Sequence, residues 1–106
     1  MVGETELQLT KAGISYEIGV ARYHETARGQ IIGDDTGFLK LLVHPESRRV
    51  LGIHVFGEGA AELVHIGQIV MALKGAMDVL LDNTFNHPTL SECCRIAALD
   101  AANKLD

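Results

Sequence analysis

Val50-Leu51-Gly52-Ile53-His54-Val55-Phe56-Gly57-Glu58-Gly59-Ala60-Ala61-Glu62-Leu63-Val64-His65-Ile66-Gly67-Gln68 changes its period part-way along. Over residues 50–56 the apolar residues alternate, with Leu51, Ile53 and Val55 on one face and His54 on the other, as a strand requires. From Gly59 to Lys74 the period becomes helical. Leu63, Ile66, Val70 and Leu73 fall on one face, Ala60, Val64, Gly67 and Met71 on the adjoining one, and only Glu58, Glu62, His65 and Gln68 keep a polar stripe. So wide an apolar surface suits a helix packed on two sides, against its own sheet and against something further such as a partner subunit. Gly75 is the expected end of this helix.

Working outward, the pattern is α+β. Upstream, His44-Pro45-Glu46-Ser47-Arg48 turns a strand at Phe38–Val43 into Val50–Phe56, and Asp34-Asp35-Thr36-Gly37 separates that strand from a short one expected at Gly29–Ile32. Ile14, Tyr16, Ile18 and Val20 alternate as a further strand, preceded by a short helix from Glu4 to Ala12 that Gly13 closes. Downstream, Met77–Asp82 reads as a short helix, Thr84–Asn86 as extended, and Leu90–Leu105 as a terminal helix with Leu90, Cys94, Ala97, Ala101 and Leu105 on one face. The expected fold is an antiparallel meander packed with helices, a single domain over residues 1–106.

Composition narrows the function. One domain of 106 residues can bury a core but cannot also hold a nucleotide-binding domain. Nine Lys and Arg stand against fourteen Asp and Glu, a formal charge of −5, with the bases scattered apart from Arg48-Arg49, so no nucleic-acid partner is expected. No apolar run reaches membrane-spanning length and the start is acidic, which predicts a soluble, cytoplasmic protein with no membrane partner. Cys93 and Cys94 are adjacent and build no disulfide framework; small buried helix residues are expected. His24, His44, His54, His65 and His87 show neither an HxxxH pair nor zinc spacing with the cysteines, so no metal site is expected. His54 is expected to be a hydrogen-bonded structural histidine, and His65 to be exposed or at an interface. The eleven glycines include neither GxGxxG nor GxxxxGK[ST], leaving no phosphate cradle in this chain.

One stretch carries candidate chemistry. In Phe85-Asn86-His87-Pro88-Thr89-Leu90-Ser91-Glu92, His87 precedes a carboxylate by five residues across a helix start. Thr89 and Glu92 have the spacing of a capping box, and Pro88 sits where it costs no helical hydrogen bond. On one reading Glu92 caps and His87 is a bystander. On the other Glu92 accepts from one imidazole nitrogen, fixing the tautomer and leaving the second nitrogen as acid or base.

The run from Val50 to Gln68, followed by His87-Pro88-Thr89-Leu90-Ser91-Glu92, resembles the C-terminal dimerisation domain of the pyridine nucleotide-disulfide oxidoreductase family over nearly the whole chain. Within it, Ala61–Gln68 and Arg95–Leu105 look most like the soluble NAD(P) transhydrogenases and next like dihydrolipoamide dehydrogenase. The resemblance implies a C-terminal piece of a larger flavoenzyme whose other domains bind FAD and NAD(P), a homodimer in which His87 and Pro88 line the partner's flavin site across a cis bond, and Glu92 orienting His87. The chain alone is then expected to bind no cofactor and to be inactive. His87 stands where the transhydrogenases often have Tyr, which keeps open a disulfide reductase with His87 as acid–base group. A free-standing self-association module is the third expectation.

Overall fold

The computed structural model describes residues 1–33, 36–57, 59–82 and 90–105, the side chains of 27 and 28 aside. Strands β3 (Phe38–Val43) and β4 (Val50–Phe56) occupy the spans expected from their alternation and pair antiparallel, Phe38 opposite Phe56 and Leu41 opposite Ile53. Strand β2 (Glu17–Arg22) lies antiparallel on the other side of β3, and a two-residue strand that periodicity could not reveal, β1 (Val2–Gly3), lies along β4. The order is β1-β4-β3-β2, so the expected meander holds with one short strand added at its edge.

Period-two alternation sorts the sheet into two faces. Gly19, Leu41 and Ile53 form one cross-strand row and Ala21, Leu39 and Val55 the next. Helix α3 (Ala60–Ala72) packs over β4 on this face and α5 (Glu92–Leu105) over β2 and β3. Both helices come close because glycine faces them. A Cβ on Gly67 would lie 2.5 Å from Ile53 Cγ2, and one on Gly19 only 2.0 Å from the Ala97 carbonyl oxygen. Between the layers sit Leu39, Leu41, Val43, Ile53, Leu63, Val70, Met77, Leu80 and the alanine-rich side of α5. Each large aliphatic side chain buried here contributes on the order of 1.5–3 kcal/mol.

The opposite face carries helix α1 (Glu6–Ala12), and Glu6 reaches Lys40 of β3 across 2.6 Å. Its start is Glu6, two residues later than expected, because the capping box centres on Thr5, whose hydroxyl accepts the Gln8 N–H while the Gln8 amide oxygen accepts the Thr5 N–H. Gly13 closes the helix at φ 71°, and the N–H of Ile14 is spent on the Leu9 carbonyl. That is why β2 begins at Glu17 rather than Ile14.

Two further expectations are corrected. Gly29–Ile32 is the end of a helix, α2 (Ala27–Ile32), because the Thr26 hydroxyl takes the Gly29 N–H at one end and Gly33 adopts the left-handed conformation at the other. Ile31 and Ile32 are exposed, so no buried face demanded a strand. Helix α3 ends at Ala72, and the left-handed position that follows it falls one residue before Gly75. Lys74 takes the left-handed position at φ 55°, with the Gly75 N–H bonded to the Val70 carbonyl and the Lys74 N–H to that of Met71. Helix α4 (Asp78–Asp82) follows as expected, and the expected extended segment Thr84–Asn86 lies outside the described residues.

Candidate functional site

The flanks of the His87 segment are held close together. On its near side α4 ends at Asp82, with Leu80 fully buried; on its far side α5 starts at Glu92, and the Arg95 guanidinium donates to the Leu81 carbonyl across 3.2 Å, tying the two helices. His87, Pro88 and Thr89 lie outside the described residues, so the capping box and the His87–Glu92 pair fall there too. Glu92 is described. It is half-buried in the first turn of α5, where the helix dipole stabilises a carboxylate by roughly 0.3–1 kcal/mol at an exposed site.

Beside it, the two cysteines behave as expected of core residues. Cys93 and Cys94 are fully buried on α5. Burial pushes the Cys93 thiol up to about 12, with the Glu25 and Glu92 carboxylates adding to it, and burial followed by the neighbouring Cys93 does the same to Cys94. A thiol held protonated is neither nucleophile nor metal ligand at neutral pH. Both side chains pack in the core against the sheet and helices.

The remaining histidines divide as sequence reasoning proposed. His54 Nε2 contacts the Glu4 carbonyl at 3.2 Å, a structural role, and His65 is exposed on α3 with Nδ1 2.9 Å from the Gln68 amide oxygen. Nδ1 of His44 accepts the N–H groups of Glu46 and Ser47 and shapes the turn before β4. Among the described residues no group of three His, Cys, Asp or Glu could hold a metal ion, and no helix is long and apolar enough to cross a membrane. Open hollows among the described residues include one of about 410 Å³ lined by Gly13, Ile14, Ser15, His44, Pro45 and Glu46, and one of about 230 Å³ lined by Met1, Phe38, Lys40, His54, Val55 and Phe56. Neither lies at the His87 flanks, and neither carries a glycine-rich loop opening a helix.

The described surface instead offers apolar contact. On α3, Ile69 is 61% and Leu73 78% exposed, beside half-buried Ile66. The periodicity had placed Leu73 with the buried Leu63 and Val70. The helix is wider in apolar residues than its own sheet covers, and Leu73 is its C-cap residue. On the far face of the sheet Phe38 and Phe56 stack with ring centroids 5.8 Å apart, Phe56 61% exposed. That pair escaped the sequence reading because its signal is cross-strand register, which neither strand carries alone.

Comparison with known proteins places this geometry. The profile of the pyridine nucleotide-disulphide oxidoreductase dimerisation domain matches residues 1–98. A soluble pyridine nucleotide transhydrogenase of Mycobacterium tuberculosis is 57% identical over 104 residues, 98% of this chain and 22% of that protein. The enzyme of the same name from Yersinia pestis is 49% identical over 107 residues, again 98% of this chain and 23% of the relative. Among solved structures, the HOCl-induced flavoprotein disulfide reductase RclA of Escherichia coli superposes with a TM-score of 0.86 at 26% identity, over 92% of this chain and 22% of that one. LpdA of Mycobacterium tuberculosis, at 19% identity and a TM-score of 0.84 over 92% of this chain and 21% of its own, shares the fold. The chain thus spans under a quarter of the length of the relatives it matches.

Proposed function

Because the chain belongs to the pyridine nucleotide-disulphide oxidoreductase dimerisation-domain family, we propose that it is the subunit-pairing domain of a soluble, cytoplasmic, flavin-dependent NAD(P) transhydrogenase, an oxidoreductase that works as a homodimer. The observation that carries this reading is identity at 57% of positions, across 98% of the chain, to a protein of that name.

The described residues do not fit a whole flavin or nicotinamide dinucleotide: the hollows are open, and no glycine-rich turn offers amides to a pyrophosphate. In this reading FAD and NAD(P) are held by the other domains of the parent chain. The bound flavin supplies the hydride relay between two nicotinamides, the cofactor carrying the hard chemistry. This domain's part is position. Ile66, Ile69 and Leu73 of α3 form the face that a second copy covers, an apolar contact of the kind obligate pairs use. Carried over from the family by motif, His87 and Pro88 then lie against the partner's flavin, with Glu92 positioning His87.

His87, where the transhydrogenases often have Tyr, and the 26% identity to a flavoprotein disulfide reductase favour a second reading. There His87 exchanges a proton with a thiol beside the flavin. An assay of the purified parent protein separates the two: hydride transfer from NADPH to a thionicotinamide analogue of NAD, with no disulfide added, is the expected result. A parent that reduces lipoamide and leaves the analogue untouched would establish the disulfide reductase instead.

A further inference from the structure

The side of α3 that its own sheet leaves uncovered is not wholly apolar. Ile66, Ile69 and Leu73 are spaced by three and four residues and so share one side of the helix. Glu62 stands on that side one turn before Ile66, and His65 one turn before Ile69; both are exposed. The His65 ring is held by one hydrogen bond. Its Nδ1 lies 2.9 Å from the Gln68 amide oxygen, which accepts and cannot donate, so the Nδ1 carries the proton. In the neutral ring Nε2 then has a lone pair, and a second proton can add only there.

Few charges surround this imidazole. Within a turn of it on α3, Glu62 is the charged group among the described residues, and Glu58 lies outside them. The strands that α3 packs on, β4 and β1, contribute Ile53, Val55 and Val2 to the core beneath it. His54 is occupied elsewhere, with its Nε2 at the Glu4 carbonyl. A second copy of the chain brings the same face and hence its own Glu62 and His65. Exposed opposite charges three residues apart are worth about twofold in an equilibrium. Covered, the same two ions would lose their water, which their attraction often fails to repay.

We propose that His65 gates the pairing of two copies through α3: the neutral imidazole is compatible with a covered face, and a proton on Nε2 parts the subunits. Neutral Nε2 can accept an N–H from the covering copy. Protonated, it carries a charge into a contact built from Ile66, Ile69 and Leu73, where burial disfavours the charged form. Pairing is therefore strongest where imidazoles are neutral and weakens as pH falls through the range, roughly pH 8 to 5, in which they gain a proton. Each dimer covers two such rings, so the response is steeper than one histidine gives. The inference rests on the reading of α3 as the subunit contact, and adds the condition under which that contact forms.

Fluorescence-detected sedimentation of the intact parent protein from nanomolar to micromolar concentration, at about pH 8 and about pH 6, tests it. The dimer dissociation constant of the unaltered parent should rise about tenfold at the lower pH. His65→Gln and His65→Leu, which take up no proton there, should each stay within about twofold of their own value at the higher pH. An unaltered parent whose constant does not move would overturn the gate and leave the α3 contact standing. An equal rise in the parent and both variants would also overturn it, since His24, His44 and His54 remain in all three. A parent that sediments as a single subunit at the higher pH would overturn the α3 contact together with the gate.

Discussion

Asp100 Oδ2 accepts the backbone N–H of Val20 across 2.9 Å, so a side chain of the last helix completes the outer edge of β2. Two residues along the strand, the Ile18 carbonyl takes the ammonium of Lys104, which stands 3.3 Å from Asp100. A single i,i+4 pair thus satisfies one donor and one acceptor that a missing strand would otherwise have met, and blocks edge-to-edge pairing. Asp100→Ala should lower the unfolding free energy by about 1 kcal/mol and Lys104→Ala by less, read as urea midpoints at constant slope. Equal stability of Asp100→Ala and the parent sequence would show the contact to be idle.

Lys74 takes the left-handed position at the end of α3 that glycine fills at less cost. Lys74→Gly should therefore raise the unfolding free energy by about 0.5–1 kcal/mol, the left-handed penalty less glycine's extra unfolded-state entropy, read as a higher urea midpoint at constant slope. A loss of stability of that size would show that the lysine side chain contributes more than its backbone costs.

The thiols set an alkaline limit. Both cysteines titrate at about 12 when folded, against an ordinary value of 9.0. The folded chain therefore holds more protons than the unfolded chain between those values, and stability falls as pH rises from 9.0 towards about 12. Cys93→Ser/Cys94→Ser, less stable at neutral pH for burying hydroxyls, should show a flatter decline over the same range. Alkylation at pH 8 should be slow until denaturant is added; rapid labelling of the native chain would contradict the burial.

His87 separates the two enzymatic readings. In the intact parent, His87→Gln should leave hydride transfer between nicotinamides within about tenfold, while a disulfide reductase would lose roughly 100- to 10,000-fold. Glu92→Gln should act through His87, moving the pH profile of any proton-transfer step rather than abolishing flavin binding.

How much of this was legible in the sequence depended on where the determining contacts lie. β3 and β4 were readable to the residue because each strand has an alternating face and a turn at its end. Helix α1 and its glycine cap were nearly so, displaced only by the Gln8 half of the capping box. Gly29–Ile32 misled because Ile31 and Ile32 carry strand propensity, whereas the deciding interaction is the Thr26 hydroxyl three residues earlier. β1 has two residues and no periodicity, and exists only because Ile53 and Gly52 receive it. The excess apolar width of α3 was visible in its residues. Which of them remain outside, Ile69 and Leu73, depended on how the helix packs on the rest of the chain, which its own residues do not state. The His87–Glu92 motif was legible as a pattern, and its His87, Pro88 and Thr89 lie outside the described residues.

The account turns on pairing through α3, and sedimentation velocity of the intact parent protein and its Ile69→Asp/Leu73→Asp variant tests that most directly. Both positions are solvent-exposed in the single chain, so the variant should fold, keep its flavin, sediment as a single subunit and lose hydride transfer. A variant that still sediments as a dimer would place the subunit contact elsewhere and contradict the account.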